Sequence, residues 1–69
     1  MDNWISDVVG KMHVNKISQE ELGQKLGCAR GYVNMILNGK RSPKGAKERF
    51  ASAIDEIIKS KLDDTNAYD

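Results

Sequence analysis

Residues 17–43 read ISQEELGQKLGCARGYVNMILNGKRSP, and this stretch predicts two short helices joined by a tight turn. Ser18 and Glu21 have the spacing of a capping box, which is typical of a helix start. Gly27 is expected to end this helix, because glycine enters the left-handed conformation without a steric penalty. A second helix then runs from about Ala29 to Leu37.

The two helices also carry the residues that a close crossing requires. Gly23 supplies a small residue where the helices would cross, and Asn38 and Gly39 supply a left-handed end to the second helix. Apolar residues are available for the inner faces: Leu22, Leu26, Cys28, Val33 and Ile36. Because these features occur together, the stretch predicts a helix-turn-helix.

The flanking residues predict further helices and show no strand periodicity. One helix is expected from about Asn3 to His13, and another, with Ser42 as N-cap and Pro43 at its first position, to about Leu62. The expected fold class is all-α, a compact bundle of four or five helices. It would form one domain over residues 1–62, followed by a flexible acidic tail over residues 63–69.

The charge distribution is more informative than the net charge, which is only +1 over the 69 residues. Residues 24–49 hold seven basic residues and one acidic residue, a balance of +6. The segments on either side, residues 1–23 and 50–69, have balances of −2 and −3. A basic middle between acidic ends favours a local surface for a polyanion, the alternative being chance clustering on a solvated surface.

Several classes of function lack the residues they need. Cys28 and His13 are the only cysteine and histidine, so we expect neither a disulfide nor a zinc site, and no metal or cofactor. No catalytic Ser/His/Asp set or phosphate-binding glycine loop is recognisable, so the protein is not expected to be an enzyme. No apolar run approaches a membrane span and no secretory leader is evident, which favours a cytoplasmic protein.

Residues 17–43 resemble the helix-turn-helix of the Cro and lambda-repressor-like family, common among small phage-type transcriptional regulators. The likeness extends over about residues 5–58, and its tightest parts are the opening Ser-Gln-Glu-Glu-Leu and the exit Asn-Gly-Lys-Arg-Ser-Pro. It implies a sequence-specific DNA-binding regulator, a Cro-like repressor of a phage or prophage, in the cytoplasm of a bacterial host. The chain departs from the family at Ala29, where Ser or Thr is common, and in having one long last helix.

The resemblance implies that the second helix of the motif lies in the major groove of double-stranded DNA. Helical geometry then puts Val33, Ile36 and Leu37 on the inner side and a polar face opposite. Arginine can pair bidentately with guanine and asparagine with adenine, whereas a glycine allows close backbone approach. The predicted base contacts are Arg30, Gly31, Asn34 and Met35.

Phosphate contacts are expected on both sides of that helix. Family resemblance places Gln19 at the start of the preceding helix near the phosphates, and basic residues follow the recognition helix. The full predicted set is Gln19, Tyr32, Asn38, Lys40, Arg41 and Lys44.

The last helix suggests a protein partner as well, because its apolar residues cover more of its circumference than one small core needs. The predicted interface for a homodimer or another protein consists of Trp4, Ile54, Ile57, Ile58 and Leu62. The alternative is that the first helix covers these residues. A different function therefore stays open, a phage antirepressor or modulator that binds a partner repressor protein, as does a scaffold or toxin–antitoxin component.

Overall fold

The computed structural model describes the backbone of residues 4–66 and the side chains of residues 4–62. This part of the chain forms four helices and no strand: α1 Trp4–Asn15, α2 Gln19–Leu26, α3 Arg30–Leu37 and α4 Ala46–Asn66. The predicted all-α fold is confirmed. None of these helices is both long and apolar enough to cross a membrane.

The start of α2 follows the capping rule that its sequence predicts. The Ser18 hydroxyl accepts a hydrogen bond from the Glu21 backbone N–H at 3.0 Å, which satisfies one donor that the first turn leaves unpaired. Gly27 ends the helix in the left-handed conformation with φ 79°. Both boundaries of α2 are therefore set by local interactions.

All three short helices end in the same way. A residue with a positive φ follows the end of each of these helices. These residues are Lys16 after α1 (φ 56°), Gly27 after α2 (φ 79°) and Gly39 after the Asn38 cap of α3 (φ 76°). The next N–H then reaches back to the carbonyl five residues earlier, from Ile17 to Met12, from Cys28 to Gly23 and from Lys40 to Met35. This 6→1 bond is the mark of a Schellman motif. It ends α1 at Asn15, two residues later than predicted, while the predicted first residue, Asn3, lies outside the described residues.

The core lies between α4, which packs against α1 and α2, and α3, which packs against α2. Leu22, Val33, Ile36 and Ile54 are its most completely buried side chains, at 0–1% exposure. The other buried members are Val8, Met12, Ile17, Ala46, Phe50, Ala53 and Ile57. Trp4 packs edge-on against Phe50 with ring centroids 5.6 Å apart. The long helix α4 therefore holds α1 and the helix-turn-helix together.

The predicted boundaries of α4 were wrong at both ends. Pro43 does not begin the helix, because Gly45 has φ 81° and the chain makes a turn in which the Ala46 N–H bonds to the Pro43 carbonyl. The helix begins at Ala46, and the first hydrogen bond runs from the Arg49 N–H to the Gly45 carbonyl. It continues to Asn66, because residues 46–66 contain neither Gly nor Pro to stop it. Residues 67–69 of the predicted tail lie outside the described residues.

The predicted interface on α4 is also corrected. Ile54 and Ile57 are buried within the chain itself, at 0% and 6% exposure, so they offer no surface to a partner. Trp4 and Ile58 are half-buried against the same core. Of the predicted set, only Leu62 is largely exposed, at 60%. The apolar width of α4 is mostly explained by its contacts with α1 and α2.

Gly23 is where α2 approaches the turn most closely. A Cβ at this position would lie 2.6 Å from the Cys28 carbonyl oxygen and 3.4 Å from Val33 Cγ2. Backbone atoms cannot give way as the end of a flexible side chain can. The sequence predicts a small residue at the crossing, and the structure shows that the residue must lack a side chain altogether.

We expect Gly23→Ala to destabilise the fold by about 1–3 kcal/mol, the usual cost of overpacking a well-packed interior. The free energy of unfolding in urea, followed by circular dichroism, measures this. Gly10→Ala is the matched control, because a Cβ there meets nothing within 4 Å and Gly10 also lies within a helix. That variant should gain roughly 0.5–1 kcal/mol from helix propensity alone. Equal stability changes in the two variants would contradict the close crossing.

Candidate nucleic-acid interface

The outer face of α3 is polar and exposed, whereas its inner face is in the core. Val33 and Ile36 are 0% and 1% exposed, so the orientation of the helix is well defined. Arg30, Gly31 and Asn34 are exposed on the other side. The fourth predicted base contact, Met35, is half-buried at the edge of this face. The face predicted to read bases is thus available for contact.

The first turn of α3 lacks the side-chain cap that stabilises the first turn of α2. Its N-cap, Ala29, has the extended conformation of a cap, with φ −70° and ψ 151°, but makes no side-chain cap hydrogen bond. Gly31 stands in the same turn, and a Cβ there would meet nothing within 4 Å. The internal packing of the chain therefore does not explain why this position is glycine.

Three amide side chains form a hydrogen-bonded chain across this surface. Asn38 Nδ2 donates to Asn34 Oδ1 at 3.0 Å, and Asn34 Nδ2 donates to Gln19 Oε1 at 3.2 Å. The chain connects the first residue of α2 to the middle and the C-cap of α3. Sequence reasoning named all three residues but treated them as separate contacts, since only the crossing of α2 and α3 brings Gln19 beside Asn34. We call this set the amide chain.

Four exposed cations flank the polar face of α3 along the chain. Arg30 begins α3, and Lys40, Arg41 and Lys44 lie in the connection between α3 and α4. Within residues 4–62, no carboxylate pairs with any of these four side chains. Their charge is therefore not neutralised locally and attracts anions to this side of the molecule.

Other basic residues of the chain's middle segment are used to hold helices together. Arg49 Nη2 donates to the Leu26 carbonyl at 3.2 Å, which places a positive charge at the C-terminus of α2. Lys25 pairs with Glu56 at 3.6 Å across the same two helices. The charge balance of residues 24–49 therefore overstates the charge available for binding.

Tyr32 is less available than the other predicted phosphate contacts. It is half-buried and packs against the core, where it lines a small cavity with Ile36, Pro43 and Phe50. Cys28 is half-buried at the same cavity, as expected for a small apolar residue of the turn.

The chemistry of this surface is that of donors and positive charge. Amide N–H groups and cations are suited to phosphate oxygens and to the acceptor atoms on base edges. Among the described residues, no group of three or more His, Cys, Asp and Glu could hold a metal ion.

Two crossed helices with the second one exposed define the helix-turn-helix class of DNA-binding proteins. Residues 15–47 match the family model described as Helix-turn-helix, which supports a Cro/lambda-repressor-like helix-turn-helix family. The family is one of DNA-binding transcription regulators and is not typically enzymatic. No curated protein and no solved structure matches the chain significantly.

Ala29→Ser tests whether the start of α3 lacks only a cap. The backbone already has cap geometry, so the new hydroxyl should bond to the first turn and stabilise the protein by about 0.5–2 kcal/mol. Urea unfolding measures the change. Ser18→Ala is the reciprocal variant and should lose roughly 1 kcal/mol. If Ser18→Ala destabilises and Ala29→Ser has no effect, the geometry at Ala29 is not that of an uncapped helix start.

Proposed function

We propose that this protein is a sequence-specific DNA-binding repressor of the Cro type, of phage or prophage origin, acting in the bacterial cytoplasm. It would insert α3 into the major groove of an operator and exclude polymerase from the adjacent promoter. One observation carries the proposal. The polar face of α3 is exposed and flanked along the chain by cations that have no carboxylate partner within residues 4–62, in a segment that matches a DNA-binding family.

Base reading is assigned to the exposed face of α3. Arg30 would donate to O6 and N7 of a guanine, and Asn34 would pair with N6 and N7 of an adenine. The two Cα atoms are about 6 Å apart along the helix axis, which is close to two base-pair steps of B-DNA. Gly31 would let the backbone approach the groove, and Met35 would contact a thymine methyl group.

Phosphate binding is assigned to the residues on either side. Gln19 stands at the first turn of α2, where backbone N–H groups and the helix dipole favour an anion. Asn38, Lys40, Arg41 and Lys44 would contact the backbone beyond the other end of α3. The Tyr32 hydroxyl is the remaining proposed contact, from a ring that packs against the core.

Partners other than DNA are proposed on narrower grounds. Operators of this class are read by dimers whose two recognition helices lie about 34–36 Å apart. A homodimer, or a complex with a partner repressor, would use the apolar surface that Leu62 and the half-buried Ile58 leave at the end of α4.

The proposal predicts salt-dependent DNA binding with base preference. If about five phosphates are neutralised per protomer, the slope of log K against log salt should be roughly −4 to −5. Fluorescence anisotropy at several salt concentrations measures the slope. Arg30→Ala and Asn34→Ala should each cost about 1–3 kcal/mol of preference for the selected site, without unfolding the protein.

A matched control is Lys59→Ala, because Lys59 is exposed on α4, outside the basic segment. That variant should leave both the affinity and the slope unchanged. If the wild-type protein binds no duplex in low salt, the repressor proposal fails and the modulator that binds a repressor protein takes its place. If Arg30→Ala and Asn34→Ala keep full preference, the assigned reading face is wrong.

Gly31→Ala separates the effect of this residue on folding stability from its effect on DNA affinity. A Cβ here meets no atom of the described residues within 4 Å, so the variant should gain roughly 0.5–1 kcal/mol of stability. DNA affinity should nevertheless fall, because the methyl group would occupy the space between helix and groove. Unfolding and anisotropy measured on the same sample test both expectations. Unchanged affinity would show that α3 does not approach DNA closely at Gly31.

A further inference from the structure

We propose that Asn38 is a positioning residue that determines which way the Asn34 amide faces the bases. This inference deepens the proposed function and rests on it. It assigns to Asn38 a role in base preference, beyond the phosphate contact proposed above. Both hydrogen bonds of the amide chain run in the same direction along it.

Each amide in the chain has one donor end and one acceptor end. In the order Asn38 to Asn34 to Gln19, Asn34 Oδ1 faces Asn38 and Asn34 Nδ2 faces Gln19. One Nδ2 hydrogen and one Oδ1 lone pair of Asn34 are then left over. Those are the two groups that an adenine requires, so Asn34 can pair with a base and keep both neighbours.

The reverse direction would make the same number of bonds among the three amides. In that case Gln19 would donate through Nε2 and Asn38 would accept. A phosphate accepts hydrogen bonds and cannot donate them, so a phosphate at Gln19 requires the Nε2 hydrogens. In the direction found in the structure, Gln19 Oε1 accepts from Asn34 and both Nε2 hydrogens are left for the phosphate, whereas the reverse direction would use one of them on Asn34. Phosphate binding at Gln19 and donation by Asn38 therefore favour the same orientation of Asn34.

The orientation of Asn34 has consequences for the base pair that it prefers. In the major groove, an A·T pair and a T·A pair present N7 and N6 in opposite order. An Asn34 amide held in one orientation distinguishes them, whereas an amide that turns over does not. The backbone of Asn38 is held in place by its N–H bond to the Asn34 carbonyl at 3.0 Å and by the left-handed Gly39 that follows. The Asn38 side chain therefore starts from a defined backbone position, from which Nδ2 donates to Asn34 Oδ1 at 3.0 Å.

The test is a double-mutant cycle on Asn34 and Asn38 in the full-length chain. In vitro selection from a randomised duplex library gives the wild-type site, and Asn34→Ala identifies the base pair that Asn34 reads. Anisotropy then gives the ratio of affinities for that site and for the site with this pair inverted. We expect a wild-type ratio on the order of 10-fold to 100-fold, as for a good bidentate pair. With Asn38→Ala the ratio should fall towards one, and Asn38→Ala should have no further effect on it in the Asn34→Ala background.

Two further variants distinguish positioning from phosphate contact. Lys40→Ala, two residues further on, should weaken binding to both duplexes equally and reduce the salt slope by about one, with the ratio unchanged. Asn38→Asp keeps the shape of the side chain but can only accept, so the ratio should be lost or inverted. Its added charge affects both duplexes alike and cancels in the ratio. Circular dichroism of each variant checks that the fold is intact.

Failure of the inference about Asn38 can be distinguished from failure of the proposed function. If the wild-type protein selects no sequence, the proposed function fails and this inference fails with it. If the wild-type protein selects a site and Asn38→Ala weakens both duplexes equally, the inference alone is overturned, and Asn38 is a phosphate contact only. The side-chain amide resonances of Asn34 provide a readout without DNA, since Asn38→Ala should shift them if the amide chain exists in solution. Unshifted resonances would also overturn the inference.

Discussion

The close approach of α2 to the turn at Gly23 is the contact on which the rest of the structure depends. The Gly23 carbonyl accepts the N–H groups of Gly27 and Cys28, while the missing side chain leaves room for the Cys28 carbonyl. Gly23 thus accepts the hydrogen bonds that close α2 at Gly27 and also allows the close approach of the turn that leads into α3. The angle between the two helices then determines that Val33 and Ile36 are buried and that Asn34 lies beside Gln19. A change of this crossing would affect the core and the proposed binding surface together.

The features that the sequence predicted well depend on neighbouring residues. The boundaries of α2 follow from Ser18 and Gly27, and the end of α3 follows from Gly39, because caps are local hydrogen bonds and backbone conformations. The inner and outer faces of α3 follow from helical periodicity. All of these can be read from residues within one or two turns of each other.

Two kinds of feature were predicted poorly from the sequence. In the first kind, two local signals compete, and in the second, the contact joins residues that are distant in the chain. Ser42 and Pro43 form a good helix start, but Gly45 competes with it by taking a left-handed conformation two residues later. Ile54 and Ile57 looked like surplus apolar surface, because a helical wheel does not show that both α1 and α2 pack on α4. The bond between Asn34 and Gln19 joins residues 15 positions apart, so no periodicity indicates it.

The exposed face of α3 has an evolutionary consequence. Arg30 and Gly31 make no contribution to the core, so related chains could acquire new operators by replacing them while the scaffold stays the same. Gln19, Asn34 and Asn38 are different, because each side chain has another of the three as its partner. A replacement of Asn34 removes the partner of both other side chains, and a replacement of Gln19 or Asn38 removes one of the two partners of Asn34. Divergence of target sequence among homologues should therefore proceed by single substitutions at the first two positions and by correlated substitutions at the other three.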